Sequence, residues 1–174
     1  MELSLPAIGF RDLMELRFVS AFVQAGVDLR VVKETIAAAR DLWGTDYPLT
    51  AKRFRSDGKE IFESAVDRAG EEILTNIRRR QIVFTHIIKP SLYAGIEYNG
   101  YVATVWYPPE VKGIVLDPTR RFGAPIVDRT GIPTDTLYAA YIAEGRDRKT
   151  TARIFEVEPR QIDAAVRFEE WLRA

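Results

Sequence analysis

The sequence predicts an α+β protein, mainly α, with helices at both ends and a small antiparallel β region between them. Three observations carry this. Apolar residues recur at helical spacing from residue 10 to 25 and again from 29 to 43. The segment AGIEYNGYVATVW (94–106) alternates like paired strands around Asn99-Gly100. The run TDTLYAAYIAEGRDRKTTARIFEVEPRQIDAAVRFEEWL breaks into three short helical stretches at Gly145 and Pro159.

The chain has 174 residues, 47% hydrophobic and 29% charged. That is the balance of an ordinary globular protein, with room for one domain or two small ones. The absence of cysteine excludes a disulfide scaffold, a thiol nucleophile and Cys-ligated zinc, and is compatible with a cytoplasmic location. No apolar run reaches the ~18–20 residues of a membrane span, and the first residues lack a signal-peptide core. Lys+Arg and Asp+Glu both number 25. Divided at residues 60 and 113, the three parts hold 9 and 9, 6 and 6, then 10 and 10 basic and acidic residues. A nucleic-acid surface would have to come from local arrangement. The local excess is GRDRKTTARIF (145–155), with four basic residues against one acidic.

The first helix spans 10–25, with apolar residues at 10, 13, 14, 18, 21, 22 and 25. Gly26 stops it and Asp28 caps a second helix with the face Leu29, Val32, Ile36 and Trp43. Gly44 and Pro48 end that helix, and a two- or three-residue turn joins the pair. Residues 54–77 read as strand and turn, because Ser56-Asp57-Gly58-Lys59 is a turn signal between Arg53-Phe54-Arg55 and Glu60-Ile61-Phe62. RRRQIVFTHIIK (78–89) reads as a short helix stopped by Pro90. Asn99-Gly100 predicts a hairpin that pairs Tyr98 with Tyr101 and Ile96 with Ala103.

A boundary at about 108–113 divides the chain into 1–110 and 111–174. Beyond it comes a strand-like Ile114-Val115-Leu116, then the connector FGAPIVDRTGIPTD (122–135). In the connector Gly123 and Gly131 permit positive φ, while Pro125 and Pro133 disfavour helix just before them. Thr134 is expected to cap a helix over 135–143, Asp147 the next over 148–155, and Pro159 to open the last over 160–172. The last helix's face reads Ile162, Ala165, Val166, Trp171 and Leu172.

The final two helices have helix-turn-helix proportions, with Glu156-Val157-Glu158 as the turn. Arg160 and Gln161 open the second helix and have the chemistry to read guanine and adenine. Arg148, Lys149, Thr150 and Thr151 could hold phosphates. Against this stand Glu156, Glu158 and Asp163, which would repel phosphate, and three-helix units often serve only to pack. Catalysis is not expected. His86 is the lone histidine, without a nucleophile signature nearby, and neither a Gly-rich phosphate loop nor a spaced metal pattern occurs. Arg78-Arg79-Arg80 reads as a solvated helix start. No cofactor, metal or small-molecule substrate is expected.

The segment IVLDPTRRFGAPIVDRTGIPTDTLYAAYIAEGRDRKTTARIFEVEPRQIDAAVRFEEWL resembles the small domain known as DUF family 433. The matching positions are Asp117-Pro118, Gly123-Ala124-Pro125-Ile126-Val127, Gly131-Ile132-Pro133-Thr134 and Glu144-Gly145. Where many members have a Gly-Thr-Arg-Ile run, this chain has Asp128-Arg129-Thr130-Gly131-Ile132, with Arg129 as the substitute arginine. GFRDLMELRFVSAFVQAGVDLRVVKETIAAARDLWG resembles the helical hairpin that follows the wing in MerR-like proteins. The two together are similar to VapB-type antitoxins, which pair with PIN-like ribonuclease toxins and bind their own operators as dimers. The MerR-type reading helix-turn-helix lies upstream of that hairpin, and only nine residues precede Phe10. This chain is therefore expected to lack that reading helix.

The resemblance implies an antitoxin-like, non-enzymatic protein that binds a ribonuclease toxin, with operator DNA as a second partner and a homodimer as the assembly. The connector supplies the candidate toxin contacts Arg120, Arg121, Phe122 and Arg129, since arginine with an apolar anchor suits an acidic metal-binding site. The alternative is a transcriptional regulator without a toxin, using Arg148, Lys149, Thr151, Arg160 and Gln161 on DNA.

Overall fold

The computed structural model describes residues 8–69, 84–85 and 92–173. Of the expected helix over 78–89 only Phe84 and Thr85 are described, both helical; Arg78, Arg79, Arg80 and His86 lie outside the described residues. Among those described, six α-helices and two small antiparallel sheets of two strands each make up the fold, so the α+β, mainly α, class holds. The chain forms two compact units. One runs up to Tyr93 and includes Tyr98–Ala103; the other consists of Ala94–Glu97 with Thr104–Ala174.

In the first unit, α1 (Phe10–Gln24) buries Phe10, Met14, Phe18 and Phe22, one residue per turn down one face. Gly26 takes φ +81° and ends it, and the N–H of Val27 reaches back to the Phe22 carbonyl at 3.0 Å. Helix α2 (Leu29–Trp43) starts on Asp28, whose carboxylate accepts from the Arg30 N–H at 2.7 Å. Its buried face is Val31, Val32, Thr35 and Ala39. Of the expected face, Val32 is buried and Ile36 and Trp43 are half-buried, while Leu29 at the helix mouth is 53% exposed. Glu15 of α1 accepts the N–H groups of Leu49 and Thr50 at 3.0 and 3.1 Å, pinning the segment after α2. Burial nevertheless pushes its carboxyl above the usual range, and those two N–H bonds only partly offset the rise.

The strand and turn expected after residue 54 are a helix, α3 (Phe54–Ala69). Ser56-Asp57-Gly58-Lys59 lies inside its first turns. The deciding pattern is Phe54, Gly58, Ile61, Phe62, Ala65 and Val66, all buried at helical spacing. Apolar burial on that face outweighs the local turn preference of a single Asp-Gly pair. Gly58 is there for space: a Cβ would meet the Phe54 ring at 2.7 Å. Phe54 is fully buried and packs edge-on against Phe22 and Trp43, with ring centroids 6.3 and 6.1 Å apart.

The hairpin is β1 (Ile96–Asn99) and β2 (Val102–Trp106). Its turn is Gly100-Tyr101, one residue later than expected, and Glu97 lies across from Thr104, whose hydroxyl donates to its carbonyl at 3.2 Å. Gly100, at φ +61°, takes the first central position, where a type II′ turn wants glycine. A shift of one residue at the turn replaces the Tyr98–Tyr101 and Ile96–Ala103 pairings.

In the second unit, β3 (Ile114–Val115) pairs with β4 (Ile126–Val127), in register Ile114 with Val127 and Val115 with Ile126. The connector therefore carries a strand, with Ile126 fully buried and Val127 nearly so. Helices α4 (Thr134–Ala143), α5 (Arg148–Ile154) and α6 (Pro159–Trp171) pack on one another around Leu137, Ile162 and Phe168. Thr134 is not a cap. It is 1% exposed, and its hydroxyl donates to the buried Glu169 carboxylate at 2.5 Å, bracing α4 to α6. The face of α6 is Ile162, Ala164, Ala165, Phe168 and Glu169; the expected Trp171 and Leu172 are 40% and 56% exposed. No helix among the described residues is long and apolar enough to cross a membrane.

Candidate functional site

The connector is built by a chain of local bonds. Asp117 accepts the Thr119 N–H at 2.9 Å and its hydroxyl at 2.7 Å, which turns the backbone after β3. Arg120 then folds onto Asp128, with Nη1 donating to Oδ1 at 2.7 Å and Nη2 to the backbone carbonyl at 2.5 Å. This fork ties the residue just before the connector to its middle, so Arg120 is a brace. Gly131 sits at φ +71°, a left-handed conformation that favours glycine; a Cβ there would meet the Arg120 guanidinium only at an ordinary contact distance of 3.8 Å.

Between the two ends of the brace the backbone turns left-handed three times running. Arg121, Phe122 and Gly123 have φ of 49°, 57° and 83°. Glycine holds that conformation freely; arginine and phenylalanine each pay about 1–2 kcal/mol for it. The result is a Phe122 ring that is 100% exposed, with the exposed Arg121 beside it. Arg129 is also exposed and leans on Glu158 at 3.8 Å. Of the four connector candidates, Arg120 and Arg129 are engaged within the unit, while Arg121 and Phe122 face outward.

The residues singled out for DNA are placed differently. Thr151 is fully buried, its hydroxyl donating to the Asp147 carbonyl at 2.8 Å. Gln161 accepts the Glu158 N–H at 2.8 Å in a capping box at the start of α6. Arg160 pairs with Glu158, and Arg148 with Asp163 at 3.3 Å. Lys149 is exposed at the start of α5. The structure sets acidic partners against both arginines.

Sequence reasoning passed over a second basic group. Lys52, Arg53 and Arg55 stand at the start of α3, beside the hairpin tip at Tyr101. The signal was present as the run Lys52-Arg53-Phe54-Arg55, but the mistaken turn at 56–59 hid it.

The family model described as a protein of unknown function, DUF433, matches residues 114–168. These residues hold β3, the connector, β4, α4, α5 and most of α6. The chain is similar to the crystal structure of Rv2018 from Mycobacterium tuberculosis at 21% identity, with a TM-score of 0.66 over 90% of this chain and 77% of that one. At that identity the likeness is one of fold. No curated protein matches the chain.

Proposed function

We propose that the chain is an antitoxin-like binding protein that docks a small ribonuclease, in the manner of VapB-type proteins, through the connector of its DUF433 segment. The supporting observation is Phe122: a fully exposed aromatic ring held in a left-handed backbone beside Arg121. Backbone strain costs stability, and such outliers gather at sites used for binding. The pair also has the right chemistry. A ring fills an apolar pocket at the centre of an interface, and an arginine fork meets the carboxylates of a metal-binding nuclease site. The short strands on either side and the Arg120–Asp128 brace hold the pair in a set conformation, which lowers the entropic cost of docking.

The test is co-purification from cells that express the chain with its flanking genes intact. A stoichiometric small nuclease is expected, inactive until the chain is removed. Phe122→Ala or Arg121→Ala should weaken capture about tenfold or more, the loss of one interface anchor, while leaving the thermal midpoint unchanged or raised. Capture that is unaffected by both substitutions would remove the connector from the interface. A chain that comes down alone yet shifts its upstream DNA at low salt would instead make it a transcriptional regulator.

A further inference from the structure

The first unit contains a cavity of about 200 Å³ between the start of α1, the end of α2, the segment leading into α3 and the hairpin tip. Two guanidinium groups line it, those of Arg11 and Arg53, and no lining residue is acidic. The Arg53 guanidinium lies over two aromatic rings, 4.9 Å from that of Tyr101 and 5.7 Å from that of Trp43. Arg11 lies 5.9 Å from the Tyr47 ring. Aromatic rings hold a guanidinium by its face and leave its edge N–H donors open. Among the described residues, neither guanidinium has a hydrogen bond or ion pair to a carboxylate. Asp12, the neighbour of Arg11, accepts instead from the Tyr47 hydroxyl at 3.2 Å and the Gly9 N–H at 2.9 Å.

We propose that this cavity binds a small organic anion, a carboxylate carried on an aromatic ring. The charge follows from two unpaired forks opening onto one space; Lys52 and Arg55 line the neighbouring pocket together with Asp57, leaving its surroundings net positive. The ring follows from the rest of the lining: Trp43, Tyr47, Tyr101 and Val102 offer apolar surface that inorganic phosphate would leave unused. The volume sets the size. It is below the roughly 300 Å³ at which pockets for drug-sized ligands begin, so it suits one or two rings. The wall is also pre-formed. The N–H of Lys52 donates to the Tyr101 carbonyl at 3.2 Å, and Glu15 fixes Leu49 and Thr50.

The probe is indole-3-acetate, with indole and inorganic phosphate as its two halves, titrated into the full chain and followed by ¹H–¹⁵N shifts. Saturable shifts are expected at the Trp43 indole and at the amides of residues 51–53 and 101–103. Either half alone should bind about tenfold weaker or worse. Arg53→Gln should weaken the probe about tenfold, the loss of a charged hydrogen bond, and Arg30→Gln on the outer face of α2 should not. Should Arg53→Gln lower the thermal midpoint, Arg11→Gln, an exposed residue with no structural bond, carries the same expectation. No saturable shift, phosphate binding as tightly as indole-3-acetate, or affinity unmoved by both arginine substitutions would each overturn the proposal.

Discussion

Asp147 shows how one side chain ends one helix connection and starts the next. Its carboxylate accepts the N–H groups of Lys149 and Thr150 at 2.9 and 3.2 Å and the Thr150 hydroxyl at 2.8 Å. The Thr150 hydroxyl, then those backbone donors, hold its pKa below the ordinary 3.8. A carboxyl with a depressed folded pKa contributes stability in full above its unfolded value. That contribution is lost as the pH falls through the folded value. Asp147→Asn keeps a cap acceptor but has nothing to titrate. Wild type is therefore expected to be the more stable above pH 3.8 and to lose its margin over the variant below it, in paired thermal melts across that range. Residue-scale features of this kind were legible in the sequence, because a cap bonds within three residues of itself. Phe122 was legible only as a candidate, since its exposure depends on how the connector folds.

At the scale of elements, α3 separates local preference from packing. Asp57-Gly58 has the chemistry of a turn, and read alone it breaks the segment. In the folded unit Gly58 faces the ring of Phe54, which is itself fixed between Phe22 and Trp43. Alanine is the better helix former by about 1 kcal/mol, so a helix read from propensity alone would gain from Gly58→Ala. The expected outcome is the reverse: a loss of about 1–3 kcal/mol from overpacking, measured by urea denaturation. The helix pair α5–α6 makes the same point about function. Arg160 and Gln161 were singled out for reading bases, and in the folded unit their polar groups serve Glu158 and the helix start.

On the scale of the molecule, each unit has a core of its own. Phe18, Phe22, Phe54 and Phe62 are fully buried in the first, and Ile114, Ile126, Leu137, Ile162 and Phe168 in the second. A cavity opened in one core should be felt by the amides of that unit. Phe54→Ala is expected to cost about 3–5 kcal/mol and to lower hydrogen-exchange protection across α1, α2 and α3, while α4 and α6 keep theirs. Equal loss in both units would show a single cooperative core instead. The zero net charge is likewise a property of the whole that hides its parts. The basic group around Arg53 and the Arg121–Phe122 pair are local, and a balanced total neither reveals nor excludes them.

The sequence by itself determined the helices that open on Asp28, Asp147 and Pro159 and stop on Gly26, Gly44 and Gly145. It also determined the hairpin near Gly100 and the two connector glycines. These are decided by φ and by bonds to near neighbours, so nearby residues suffice. Tertiary structure decided whether Ser56–Lys59 turned or stayed helical, which residue opened the hairpin turn, and whether Thr134 capped α4 or reached Glu169. It also decided which arginines remained outward. The fates of Ser56–Lys59 and Thr134 depend on partners far along the chain, Phe22 for Phe54 and Glu169 for Thr134, and burial against that partner outweighs the local preference.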